Sequence, residues 1–216
     1  MRARWWLLAV GLLVLLVVGA AGGYAAATLR QQQPVSFGTP RPVPARSPSV
    51  PVLPTPSYAP DIDYPPLAPD LTYREHRIGV PPYRWTYDVP AGWAPETEGS
   101  LETRWRPPDE PTSGGYSVRV KIINDHRTDE EMVAAKLAAV EDGYADVRVV
   151  GQTADTLSFS YRDPGTDRLR FNTFQWFTPT GGATAEFEMS VVGRQVDVDG
   201  LEQLLDHVAT SVRKLP

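Results

Sequence analysis

Three histidines, no cysteine and a surplus of acidic side chains are the material from which this 216-residue chain would have to build chemistry. His76 falls in the charged run Tyr73-Arg74-Glu75-His76-Arg77, His126 in a turn, and His207 between the apolar Leu205 and Val208. No two of them stand at helical ligand spacing. His126 with Asp125 or Asp129 is the nearest approach to a metal site, and neither a metal nor a cofactor is expected. A serine nucleophile needs a strained turn or an adjacent base. No Gly-x-Ser-x-Gly occurs, and Gly99-Ser100 and Ser113-Gly114 read as loop pairs. No glycine-rich phosphate loop follows a strand. Asp129-Glu130-Glu131 belongs in the first turn of a helix, where carboxylates complement the macrodipole. Glu186 and Glu188 read as one exposed strand face, with Arg168 and Arg170 on the neighbouring strand as cross-strand partners. That pairing suits the spacing better than a glycosidase pair, which also needs a cleft. No catalytic residue is assigned.

One constellation suggests binding. Trp105 stands between Arg104 and Arg106 on a short strand. An indole between guanidinium groups can stack on a sugar, a lipid headgroup or a peptide, so Arg104, Trp105 and Arg106 are the candidate partner-binding residues. The competing reading is a buried indole with two solvated arginines. Nucleic acid is excluded as a partner, because residues 71–216 carry 16 Lys and Arg against 23 Asp and Glu, and phosphate contacts demand the opposite balance. Asp61-Ile62-Asp63 opens like a calcium loop but lacks the glycine and glutamate that must follow.

These residues need a scaffold, and residues 71–216 are long enough to bury one core. Tyr83, Trp85, Tyr87 and Val89 alternate with polar residues, giving a strand that ends in the turn Pro90-Ala91-Gly92-Trp93. Thr103–Arg106 and Tyr116–Ile123 follow as strands joined through Gly114-Gly115. Thr128 with Glu131 forms a capping box. It opens a helix that runs to about Asp142 and stops at Gly143, with Val133, Leu137, Val140 and Tyr144 on one stripe. Further strands are expected at 147–150, 157–161, 169–177 and 185–191. Asp199 with Glu202 caps a closing helix whose apolar face is Leu201, Leu204, Leu205, Val208, Val212 and Leu215. Along 169–177 the apolar residues change parity, from Leu169 and Phe171 to Phe174 and Trp176. A bulge near Asn172-Thr173 or two covered sheet faces would explain this, and two amphipathic helices favour the second. The fold class is α+β, an antiparallel β-sheet flanked by α-helices.

Ahead of the domain, Arg2 and Arg4 precede an apolar run from Trp5 to Leu29. As a helix it can cross a hydrocarbon core of about 30 Å. Residues 1–29 are therefore expected to be a single-pass anchor through 5–29, N-terminus cytoplasmic, C-terminal domain extracytoplasmic. The alternative is a signal peptide cleaved near Ala25-Ala26-Ala27, which exports the same domain as a secreted protein. Residues 30–70 contain 12 prolines and read as an extended proline-rich linker, a spacer without helix or sheet. The 18 arginines against 3 lysines suggest a GC-rich bacterial genome.

The strand and turn Tyr87-Asp88-Val89-Pro90-Ala91-Gly92-Trp93, the helix after a hairpin and the closing helix resemble the PsbP-like superfamily over residues 83–216. That group includes LpqN-type actinobacterial envelope domains and a eukaryotic class of Ran-binding nucleotide-release factors. The resemblance implies a sheet between helices and a role in binding or assembly. It transfers no site residues. The expected function is a non-enzymatic binding or assembly module of a bacterial cell envelope, with an envelope protein, lipid or glycan as partner. The alternatives are an envelope hydrolase whose active site leaves no motif, and a purely structural domain on a spacer.

Overall fold

The computed structural model describes residues 57–111 and 113–216. The expected membrane span and the first part of the linker lie outside these residues. Among the described residues no helix is long and apolar enough to cross a membrane.

In chain order the elements are β1 (Tyr73–Val80), β2 (Tyr83–Pro90), β3 (Ala94–Glu98), β4 (Glu102–Arg106), β5 (Ser117–Ile122), α1 (Asp129–Gly143), β6 (Ala145–Gln152), β7 (Thr156–Arg162), β8 (Leu169–Phe177), β9 (Phe187–Gly193), α2 (Val198–Ser211) and β10 (Arg213–Lys214). Seven strands form one antiparallel sheet in the order β3-β4-β5-β9-β8-β7-β6, and β1-β2-β10 form a second. The α+β class is thus observed, with more sheet than helix. β2 is the expected Tyr83–Val89 strand, while β1, β3 and β10 are additions to the expected elements. β1, which begins Tyr-Arg-Glu-His-Arg, presents too many charges to show a period-2 apolar pattern.

The parity change in β8 reflects two covered faces. Its pairing with β7 runs without a break from Thr156↔Gln175 to Arg162↔Leu169, so no bulge intervenes. On one face Val118, Val120, Phe187, Met189 and Val191 pack against α2 and against Trp85, Tyr87 and Val89 of the second sheet. On the other face Leu157, Phe159, Phe174 and Trp176 pack against Met132, Val133 and Val140 of α1. Two layers of cover over one sheet require side chains of both parities to be apolar.

The helix ends are partly as expected. The Thr128 hydroxyl accepts from the Glu131 N–H at 3.2 Å, and the Glu131 carboxylate accepts from the Thr128 N–H at 2.9 Å. At the other end Gly143 is the last helical residue, and extended Tyr144 caps the helix by donating to the Val140 carbonyl. The closing helix corrects the expected cap: Asp197, not Asp199, occupies the N-cap position, and Asp199 lies in the first turn.

The domain also begins earlier than residue 71. Residues 57–70 form a strap over the end of the seven-stranded sheet that holds Ser117 and Gly193. The Ala59 N–H donates to the Asp167 carbonyl at 2.9 Å, and Leu67 is buried in the first core. Gly200 makes this docking possible, because a Cβ there would lie 2.8 Å from the Leu67 carbonyl oxygen. The linker reading fails for this segment because Tyr58, Ile62, Tyr64 and Leu67 supply apolar side chains between the prolines.

Arg194 fastens the strap. Its guanidinium donates to the carbonyls of Ile62 at 3.3 Å, Tyr64 at 2.7 Å and Pro65 at 2.9 Å. It also makes two 2.8 Å bonds to the Asp197 carboxylate, which is completely buried. Asp197 in turn accepts from the Leu67 N–H at 3.0 Å. Three carbonyls and a carboxylate around one guanidinium use its planar fork in a way a lysine cannot reproduce.

Candidate functional site

The Arg104–Trp105–Arg106 constellation is divided by the strand. Trp105 faces the core at 1% exposure, and its indole N–H donates to the Tyr87 hydroxyl at 3.0 Å. The indole is therefore not presented to a partner. It does receive a guanidinium, from Arg74, 5.0 Å from the ring centroid, and the edge-on ring of His76 at 4.7 Å. Burial pushes the Tyr87 hydroxyl up to about 12. Arg104 and Arg106 point to the opposite face, where both meet Glu96, at 3.6 and 2.8 Å.

The expected pairs of Arg168 and Arg170 with Glu186 and Glu188 are also corrected. The β8–β9 register sets Trp176, not an arginine, opposite Glu188. Glu188 is buried and held by Arg119, by the Trp176 indole N–H at 3.1 Å and by Lys136 at 3.6 Å. Burial lowers the Lys136 ammonium, and Glu188 opposes that shift. Arg170 is buried against the carbonyls of Gly114 and Gly115, and Arg168 donates to the Pro60 carbonyl at 2.9 Å. Each arginine thus closes a loop or the strap instead of a ladder pair.

The histidines stand in three different settings. His126 is exposed with φ of 54°. His76 is half-buried, and desolvation lowers its pKa. His207 stacks on Tyr73, with centroids 3.6 Å apart, and its Nε2 lies 3.1 Å from an Asp88 carboxylate oxygen. Ser211, one helical turn on, is drawn to the same place: its hydroxyl accepts from the Asp88 N–H at 2.8 Å. The residue types match a hydrolytic triad, but the geometry does not. The Ser211 hydroxyl donates to the Val208 carbonyl at 2.7 Å, so its proton is directed into the helix and away from His207. One step off the apolar stripe of α2, a histidine would be expected in solvent, but the stack and the Asp88 contact hold this one against β1 and β2. His207→Ala should cost about 1 kcal/mol in a denaturant titration, combining an aromatic contact with a half-exposed hydrogen bond. Among the described residues no three His, Asp or Glu side chains converge as metal ligands.

Glu110 is the most displaced carboxyl. Its side chain is buried with Arg106 3.6 Å away, and burial pushes its pKa up to about 7 against the pull of Arg106 and Arg170. Between its ordinary value of 4.5 and about 7 the folded state keeps a proton that the unfolded state has released. Stability therefore falls as pH rises through that window. Glu110→Gln should be about 1–2 kcal/mol more stable than the parent at pH 8 and nearly equal to it at pH 4, read by thermal melts at both values.

Among the described residues an apolar cleft of about 410 Å³, between the β1–β2 turn and the end of β5, has room for a ligand. Val80 at 51% exposure, Tyr83 at 64% and Leu101 at 49% form its rim. Trp85, Ile122 and Ile123 also line it, with Asn124 and Glu186 as its polar members. Trp85 is fixed edge-on against Phe187, 5.1 Å between centroids. Glu186 accepts from the Thr180 N–H at 3.2 Å and from its hydroxyl at 2.7 Å. The cleft opens at the Ile122–Phe187 end of the sheet, opposite the end that carries the strap. Sequence reasoning missed it because it is assembled from three turns. The available signal was the pair of apolar residues flanking Pro81-Pro82, followed by Leu101 in a glycine-serine loop.

No protein-family model and no curated protein matches the chain.

Proposed function

We propose that this chain is a membrane-anchored, extracytoplasmic binding module of a bacterial cell envelope that works without catalysis. In the same reading, residues 1–29 hold it in the membrane and the domain has the PsbP-like architecture. The apolar cleft carries the proposal. Folded domains rarely leave Val, Tyr and Leu side chains half-exposed around one concavity unless something covers them. The arginine-flanked run from Trp5 to Leu29 supports the location. The order hairpin, helix, strands, closing helix supports the architecture.

The test is photocrosslinking in intact cells from a benzophenone side chain placed at Leu101 of the full chain. Val196, an exposed apolar residue outside the cleft, serves as the control position. The expected result is a discrete adduct with an envelope component from Leu101 and none from Val196. Equal adducts from both positions, or none from either, would overturn the reading.

A further inference from the structure

We propose that the cleft takes an extended, proline-rich peptide segment with a basic residue at the Glu186 end. The inference rests on the binding reading above and specifies its ligand. Tyr83 offers an exposed ring at the rim, Trp85 lies buried beneath it as a floor that Phe187 holds in place, and Val80, Leu101 and Ile122 complete an open apolar trough. One exposed aromatic ring beside exposed Val80 and Leu101 suits a polyproline helix, whose ring faces are apolar and whose backbone is already extended, so little entropy is lost on docking.

Charge selects among apolar ligands. Glu186 has hydrogen bonds from Thr180, but it takes part in none of the ion pairs among the described residues. Lys214 lies over the rings of Tyr83 and Trp85, its ammonium 6.0 and 5.8 Å from their centroids. The polar end of the trough therefore presents an unneutralised carboxylate beside exposed Asn124. A phosphate headgroup or a fatty-acid carboxylate is repelled there, whereas an arginine or lysine side chain is attracted and the asparagine amide is free to meet a peptide group.

The experiment is fluorescence anisotropy with the purified full chain and a labelled ten-residue peptide of alternating proline and valine bearing one terminal arginine. Its partner peptide carries glutamate in place of that arginine. Binding of the arginine peptide should weaken about tenfold in Tyr83→Ala and in Leu101→Asp. Glu186→Gln should weaken it about fivefold and remove the preference over the glutamate peptide. Melting curves of all three variants check that the fold persists. Binding that is indifferent to Tyr83→Ala and Leu101→Asp would overturn the proposal. So would an absence of peptide binding while vesicles of anionic lipid bind and are blocked by Leu101→Asp. If the Leu101 crosslink captures a partner in cells but no peptide binds, the ligand class is wrong and the binding reading stands. If neither occurs, both are wrong.

Discussion

Arg194→Ala is expected to be the most damaging single substitution in the domain, at about 3–5 kcal/mol. The figure follows from what is left behind. Asp197 is wholly buried, and without its guanidinium it becomes an uncompensated charge in the core, the situation in which breaking an ion pair costs most. Three strap carbonyls lose their donor in the same step. Urea titration gives the loss, and limited proteolysis gives its location: cleavage within residues 57–67 should accelerate before the sheet becomes sensitive. Arg194→Lys should recover part of the stability, because a point charge still pairs with Asp197 but cannot span the carbonyls. The acid limb should move as well. Burial pushes the Asp197 carboxyl up, but the bonds from Arg194 and from the Leu67 N–H outweigh this and hold it below the ordinary carboxylate range. A carboxyl depressed in the folded state contributes stability above its unfolded value, and that stability is lost as pH falls through the folded one. Without Arg194 the carboxyl takes up its proton sooner, so acid unfolding should begin at higher pH. Unchanged stability and an unchanged acid midpoint would show that the strap is not fastened as described.

Leu205→Ala should be the second large loss, about 2–5 kcal/mol. Leu205 is 5% exposed within the core that α2 shares with Trp85 and Val191. The cost combines lost transfer free energy with a cavity that helix and sheet on either side cannot collapse. The midpoint of a urea titration should fall while the slope stays constant, since the same surface is exposed on unfolding. Leu137→Ala on α1 is the contrast. Leu137 only flanks the second core, so its truncation should cost clearly less. Equal losses would mean that α1 is buried more deeply than its mixed apolar and charged surface suggests.

The two helices also show what was legible in the sequence. The α2 stripe and the Thr128–Glu131 box depend on residues three or four apart, and such local geometry is fixed by the helix itself. Register is different. Which side chain faces Glu188 depends on the length of the β8–β9 turn and on the pairing of β9 with β5, so Trp176 could not be told from Arg170 by alternation alone. The Trp105 triplet fails as a surface for the same reason. Alternation correctly puts Arg104 and Arg106 on one face, but only the presence of β1 and β2 on the other makes Trp105 interior. Asp197 was passed over because its role comes from a segment 130 residues earlier. The cleft was hidden on similar grounds, as its walls come from parts of the chain that only the two sheets bring together.

The strap gives the domain a mechanical polarity. A pull on the chain ahead of Ser57 meets the bonds at Ser57, Ala59 and Pro60 first and then the Arg194 fork, whose bonds reach the carbonyls of Ile62, Tyr64 and Pro65. Because one rigid guanidinium carries these last three, they share the load once the outer bonds have given way. The sheet behind them is loaded from its Gly193 end. The cleft lies at the far end, beyond the lengths of β5 and β9, where such tension is weakest. The strap would thus act as a shear pin that gives way before the cleft is deformed, and a ligand of the proposed kind seated there would be shielded from the pull.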